Sequence, residues 1–192
     1  MVSSAKSMNS SKIRTYVKLI ESSKVYDVAQ ITPITKANQL SKALNNEVLL
    51  KREDLQPVFS FKIRGAYNKL AKLKQKGVKG PFIAASAGNH AQGVAFGAKN
   101  LGLKAFIVMP VTTPSIKVNS VKNYGGKVIL HGDNFDEAYQ YAAQLVSKEG
   151  YTFIHPFDDK DVIAGQGTVG TVSYTHLTLP TKWVVWGAGG GG

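Results

Sequence analysis

The chain has 192 residues, 43% hydrophobic and 19% charged, which is enough apolar material for a folded domain and excludes a disordered chain. It holds no cysteine, so a disulfide framework and a thiolate metal site are excluded, and it has no apolar run long enough to span a bilayer. Its formal charge is +12, from 24 lysines and arginines against 12 acids, which raises nucleic acid or another anion as a partner.

Residues 1–20 contain no acid, five serines, three lysines and one arginine. Basic, serine-rich and acid-poor is how an organellar transit peptide reads, but arginine is scarce, and a cytoplasmic amino terminus is the preferred expectation. Pro33 biases Thr32 to extended backbone. A helix is expected from about Lys36 to Leu44, with Leu40, Ala43 and Leu44 on one face. The apolar run Glu47–Lys51 reads as a buried strand. Ile63, Ala66, Tyr67, Leu70 and Leu73 recur at helical spacing, so a helix starts near Lys62. The positive end of that helix would disfavour the Lys62 ammonium, and such a lysine can serve as a nucleophile.

After the loop at Lys76–Pro81 a regular alternation begins. Strands are expected at Phe82–Ala85, Lys104–Met109, Lys127–Leu130 and Tyr151–Ile154. Helices are expected to about Asn100, over Pro114–Asn123 and over Asn134–Lys148. Short apolar strands alternating with helices predict βαβ units, a parallel sheet and an α/β fold. Gly125 and Gly150 stand where helices end, and Asp133 or Asn134 where one is capped. Phe135, Ala138, Tyr139, Ala142 and Leu145 form the expected buried face of the last helix. Asp158 and Asp159 read as a solvated turn rather than metal ligands, and no metal is expected.

Ala85-Ser-Ala-Gly-Asn-His-Ala-Gln-Gly93 lies between a strand and a helix, where ligands bind in open α/β sheets. Gly88 allows close approach of the backbone, and helix-start amides can hold an anion. Ser86 and Asn89 are equally good helix caps.

Two stretches carry a family resemblance: Lys51-Arg-Glu-Asp-Leu-Gln-Pro-Val-Phe-Ser-Phe-Lys62 and Ser86-Ala-Gly-Asn-His-Ala-Gln92. In this order they resemble the pyridoxal-phosphate dependent serine/threonine dehydratases, and Leu55-Gln-Pro-Val58 favours the threonine deaminase branch. The resemblance implies a fold type II enzyme like the tryptophan synthase β subunit, with three-layer parallel sheets in two domains. It implies a smaller domain over 76–153, and parts of a larger one over 20–75 and 154–170 after an extension at 1–19. Lys62 would be the Schiff-base lysine. Ser86, Ala87, Gly88, Asn89 and His90 would meet the substrate, and Asn89 would also bind the cofactor's ring hydroxyl. His90 reads as structural rather than as a base.

The implied reaction is deamination of L-threonine, and of L-serine, to 2-oxobutanoate or pyruvate and ammonia, the first step of isoleucine synthesis. Alternatives are a serine racemase or serine dehydratase, or a catalytically inactive fragment that still binds the cofactor. A full-length member would be a homo-oligomer with an amino-acid substrate, no nucleic-acid partner and no membrane. The excess of charge reads as that of a fragment, and the scattered lysines make no nucleic-acid stripe.

Continuity of the resemblance ends near Val169. From Thr171 to Gly192 there is no acid and a single lysine. Val172–Thr181 has no helical periodicity, and its β-branched residues with Pro180 argue against a helix. This reads as a foreign segment. Trp183-Val-Val-Trp-Gly-Ala-Gly-Gly-Gly-Gly192 resembles a strand entering a glycine loop that would hold the cofactor phosphate on Gly189, Gly190, Gly191 and Gly192.

Overall fold

The computed structural model describes residues 10–176. The first helix, α1, spans Ser10–Glu21, and a 3-10 turn follows at Val25–Asp27. Strand β1 (Ile34–Lys36) pairs antiparallel with β2 (Leu49–Lys51), with the short helix α2 (Asn38–Ala43) between them. Lys36, expected to open a helix, therefore ends a strand. Leu40 and Leu44 stay exposed while Ser41 is buried, its hydroxyl accepting from the Val48 amide at 3.0 Å. The face expected to be buried is thus turned outward.

After a 3-10 turn at Glu53–Leu55 comes α3 (Lys62–Gln75), followed by β3 (Phe82–Ala85), α4 (Asn89–Asn100), β4 (Ala105–Met109), α5 (Ser115–Asn123) and β5 (Lys127–Leu130). The series ends with α6 (Phe135–Glu149), β6 (Thr152–Phe153) and α7 (Lys160–His176). Strands β3 to β6 form a parallel sheet in the order β5-β4-β3-β6. The sequence alternation is realised, with strand ends shifted by a residue or two.

Along the central strands side chains alternate between two cores, as the two-residue period of a strand requires. Phe82, Ala84, Ile107 and Met109 face α4 and α5. Ile83, Ala85 and Val108 face α6 through Ala138, Ala142 and Leu145. Phe135 and Tyr139, assigned from sequence to that buried face, are 48% and 37% exposed. They sit at the margin, where Tyr139 meets Phe153 of the two-residue edge strand at 5.4 Å. Asn134 caps α6, accepting from the Glu137 amide at 3.0 Å, and Glu137 reaches back to the Asp133 amide at 2.8 Å in a reciprocal box. Gly150 closes that helix at φ 72°, the left-handed conformation in which a side chain is disfavoured.

Helix α3 is buried on nearly every side, between α4 and α7. Glycines permit both contacts. A Cβ on Gly97 of α4 would lie 3.4 Å from the Tyr67 Cα. One on Gly165 of α7 would lie 2.6 Å from the Arg64 carbonyl oxygen, a clash with backbone that cannot yield cheaply.

Helix α7 continues through Val172–His176, against the expectation of a non-helical stretch from Val172. Two hydroxyl side chains there bond inside the helix, Thr171 to the Thr168 carbonyl at 3.0 Å and Ser173 to the Val169 carbonyl at 2.7 Å. Packing of α1 against α7 adds tertiary support, and intrinsic propensity is too weak a term to resist it. The remainder of that stretch, and the Gly189–Gly192 loop, lie outside the described residues.

Candidate active site at the carboxyl edge of the parallel sheet

Strands β4 and β5 lie on one side of β3, and β6 lies on the other. The order reverses there, so the loops leaving the carboxyl ends of β3 and β6 diverge and open a crevice. Ligands bind at such switch points in open α/β sheets. The loop after β3 is Ser86–Gly88, and the loop after β6 contains His155 and Pro156.

Lys62 comes to this crevice from α3. The chain reaches it through Phe59 at φ 57°, a conformation costly for a residue with a Cβ, and Phe59 is 72% exposed. The Lys62 ammonium donates to the Pro156 carbonyl at 3.2 Å, and its Nζ lies 5.5 Å from the Phe61 ring centroid. Among the described residues no carboxylate pairs with it. Burial pushes the Lys62 amine below the ordinary lysine value. The sequence argument located this shift correctly but gave the helix end as its cause, whereas the cause here is desolvation.

Gly93 joins the two motifs. A Cβ on it would lie 3.1 Å from the Lys62 carbonyl carbon and oxygen. Helix α4 therefore lies directly on the first turn of α3. The signal was present in sequence as Gly93 and Gly97, one turn apart on one helix face.

Ser86 is half-buried and its hydroxyl accepts from the Gly88 amide at 3.2 Å, a local turn rather than a helix cap. Gly88 is the residue before α4, so the helix has no side-chain cap. The first-turn amides of Asn89, His90 and Ala91 have no acceptor within the helix, the usual condition of a helix start. A Cβ on Gly88 would meet nothing within 4 Å, so the loop faces open space. Ala87 packs on the core beneath it. Asn89 is exposed, and its side chain makes no hydrogen bond among the described residues.

His90 is buried, with Nε2 2.9 Å from the Ile154 carbonyl. Its pKa is pushed down to about 4, first by burial and further by the charges of Lys62 and His155. It is neutral at neutral pH, and the carbonyl contact requires the proton on Nε2. Nδ1 is then an acceptor, buried and, among the described residues, without a partner, as is the hydroxyl of Ser60.

Beneath the site lies a buried ionic cluster that the sequence reading did not single out. Arg64 is fully buried and holds Glu53 in two bonds, Nε to Oε2 at 2.7 Å and Nη2 to Oε1 at 2.9 Å. Thr32 and Gln56 also donate to Glu53, at 2.7 and 3.1 Å, and Arg64 Nη1 donates to Thr168 of α7 at 3.1 Å. Burial alone would raise the Glu53 carboxyl, but its hydrogen bonds and the Arg64 charge hold it below the usual range. The cluster ties α3 to the preceding loop and to α7. The two charges are one turn-and-loop apart in sequence, and nothing in their spacing distinguishes them from surface residues.

Asp159 is also not a solvated turn. Its Oδ1 accepts from the Asp161 and Val162 amides at 2.8 and 3.1 Å, capping α7, and its Oδ2 pairs with Lys69 at 2.6 Å. His131 ends a strand and stacks on Tyr141, with ring centroids 3.9 Å apart, away from the crevice.

An amine of lowered basicity beside the first-turn amides of α4, at the carboxyl edge of a parallel sheet, fits an aldehyde-bearing anionic cofactor. A family described as pyridoxal-phosphate dependent enzyme matches residues 25–192. The chain is 56% identical over 177 residues to the chloroplastic biosynthetic threonine dehydratase 1 of Solanum lycopersicum, covering 92% of this chain and 29% of that protein. It is 58% identical over 154 residues to the biosynthetic L-threonine dehydratase of Pasteurella multocida, covering 80% of this chain and 30% of that one. The chain thus spans under a third of the length of these curated relatives. Among solved structures it superimposes on the processed form of threonine deaminase isoform 2 from Solanum lycopersicum with a TM-score of 0.84 at 48% identity, over 88% of this chain and 47% of that one. Maize serine racemase gives 0.78 at 30%, over 86% and 50%. The family match, running through the crevice residues and on to the last residue, shows that this chain belongs to the pyridoxal-phosphate dependent enzymes.

Proposed function

We propose that this chain carries the front part of an enzyme that deaminates L-threonine, and L-serine, to the 2-oxo acid and ammonia. The observation that supports it most is that α4, which begins at the Ser86–His90 loop, packs on the first turn of α3 at Lys62 beside the switch point, in a chain similar to proteins named threonine dehydratase.

In this reading Lys62 is the point of covalent attachment of pyridoxal phosphate. Its free Nζ would be the group that takes the α-proton of the bound amino acid. Burial lowers the basicity of this amine, the direction that favours its acting as a proton acceptor. The Pro156 carbonyl holds Nζ in place. The substrate carboxylate sits on the free amides at the start of α4 and on the Ser86 hydroxyl, which fixes the direction of the α-C–H bond. Asn89 would hydrogen-bond the cofactor's ring hydroxyl, and Gly189–Gly192, outside the described residues, would hold its phosphate. The cofactor supplies an electron sink for the charge left at the α-carbon. His90, neutral and bonded to Ile154, acts by holding the loop against β6.

The domain division at residues 76–153, the homo-oligomeric state and a cytoplasmic location belong to the same proposal. No described helix is long and apolar enough to cross a membrane. The test is formation of 2-oxobutanoate from L-threonine by the enzyme that contains this chain. Lys62→Ala should reduce it to background, and turnover at the parent rate would remove Lys62 as the base. Likeness to serine racemase keeps a second reading, and D-serine appearing from L-serine without 2-oxobutanoate from threonine would favour it.

A further inference from the structure

The excess of positive charge is not spread evenly. Residues 55–132 hold twelve lysines and arginines and no aspartate or glutamate. Three of these lysines, Lys79, Lys104 and Lys127, line one cleft of about 480 Å³, walled by Pro81, Leu103 and Phe106. The cleft lies at the amino ends of the parallel strands, the opposite edge of the sheet from Lys62 and Ser86.

The register explains why the three come together. Lys127 opens β5 and sits opposite Phe106 of β4. Lys104 immediately precedes β4, and its carbonyl accepts from the Phe82 amide of β3 at 3.1 Å. Lys79 enters β3 through Gly80, at φ 83°. Neighbouring strands stand about 4.8 Å apart, so three ammonium stems rise from successive strands along one rim. All three are exposed, and among the described residues none pairs with a carboxylate. The α3 lysines Lys69 and Lys72 do find Asp159 and Asp161. Lys127 Nζ lies over the Phe106 ring, 5.4 Å from its centroid, which places its charge beside the cleft.

Three adjacent like charges repel, and a multiply charged anion between them removes that repulsion. The apolar wall would be of no use to a bare inorganic ion, and the volume is that of a small-molecule site. We propose that this cleft is a second ligand site, for an organic di- or triphosphate held by Lys79, Lys104 and Lys127. The proposal is independent of the role given to Lys62.

The test is calorimetric titration of the chain with ADP, and separately with inorganic pyrophosphate, in low-salt buffer. One ADP should bind per chain, more tightly than pyrophosphate. The Lys104→Gln/Lys127→Gln variant should weaken it by at least about tenfold, as loss of charge-assisted bonds does. Lys99→Gln/Lys122→Gln, which removes equal charge from exposed helical positions, should change affinity by less than about twofold. Lys62→Ala should bind ADP as the parent does. Absence of saturable binding, equal loss in both double variants, pyrophosphate binding as tightly as ADP, or loss in Lys62→Ala would each overturn the proposal.

Discussion

Lys62 and His90 show how burial sets chemistry at single residues. Both are bases weakened by the same desolvation, and for His90 the consequence is measurable as stability. Its folded pKa, about 4, lies below the ordinary value of 6.5. The unfolded chain therefore binds the extra proton first as pH falls. The His90 contribution is intact above about pH 6.5 and is lost between there and pH 4, by about 3 kcal/mol. Glu53 and Asp159, whose carboxyls are held low, lose their contribution only at still lower pH, as they protonate. Urea unfolding as a function of pH should show the higher window, and His90→Asn should flatten it. An unchanged slope in that variant would mean that another group titrates there. For Lys62, reductive alkylation should follow a midpoint below the ordinary 10.5.

Among the elements, α3 is the one on which the others are assembled, and two kinds of contact hold it. The Glu53–Arg64 pair is buried, so removing one partner strands a charge. Glu53→Ala should cost about 3–5 kcal/mol in urea unfolding, whereas Glu53→Gln combined with Arg64→Met should cost clearly less than the two changes added. Equal, additive losses would mean that the pair is not coupled. The glycine contacts are steric. Gly165→Ala should cost more than about 2 kcal/mol, because its methyl would meet the Arg64 and Gly65 backbone. Gly170→Ala in the same helix meets nothing within 4 Å and should be neutral or stabilising by up to about 1 kcal/mol.

These same elements mark what could be seen in the sequence. The alternation of β3 to β6 with their helices was legible because each period and each stop, such as Gly150 and Asn134, is local. The start of α3 at Lys62 was legible for the same reason. The burial of Arg64 was not, because a charge is paired across a fold and not along a chain. The outward turn of Leu40 and Leu44, the exposure of Phe135 and Tyr139, and the helical Val172–His176 were misread for a common reason. Each depends on which neighbour packs against the segment, and pattern or propensity does not carry that information.

At the scale of the whole molecule the position of β6 decides the site. Strand pairing beside β3, rather than beyond β5, creates the switch point that brings Pro156 and Ile154 to Lys62 and His90. Motif spacing pointed to both halves of the crevice, but only the strand order joins them. The two sheet edges then differ in character. The carboxyl edge holds one lysine made less basic and the first-turn amides of α4, and the amino edge holds a cleft lined by three exposed lysines with no acid among its lining residues. The measurement that most directly tests the central claim is to incubate the purified chain with pyridoxal phosphate, reduce with borohydride and map the modified peptide by mass spectrometry. Label concentrated on Lys62, and absent from Lys62→Ala without reappearing elsewhere, is the predicted result. Label spread over Lys79, Lys104, Lys127 and the other exposed lysines, with Lys62 no more reactive than they are, would contradict it.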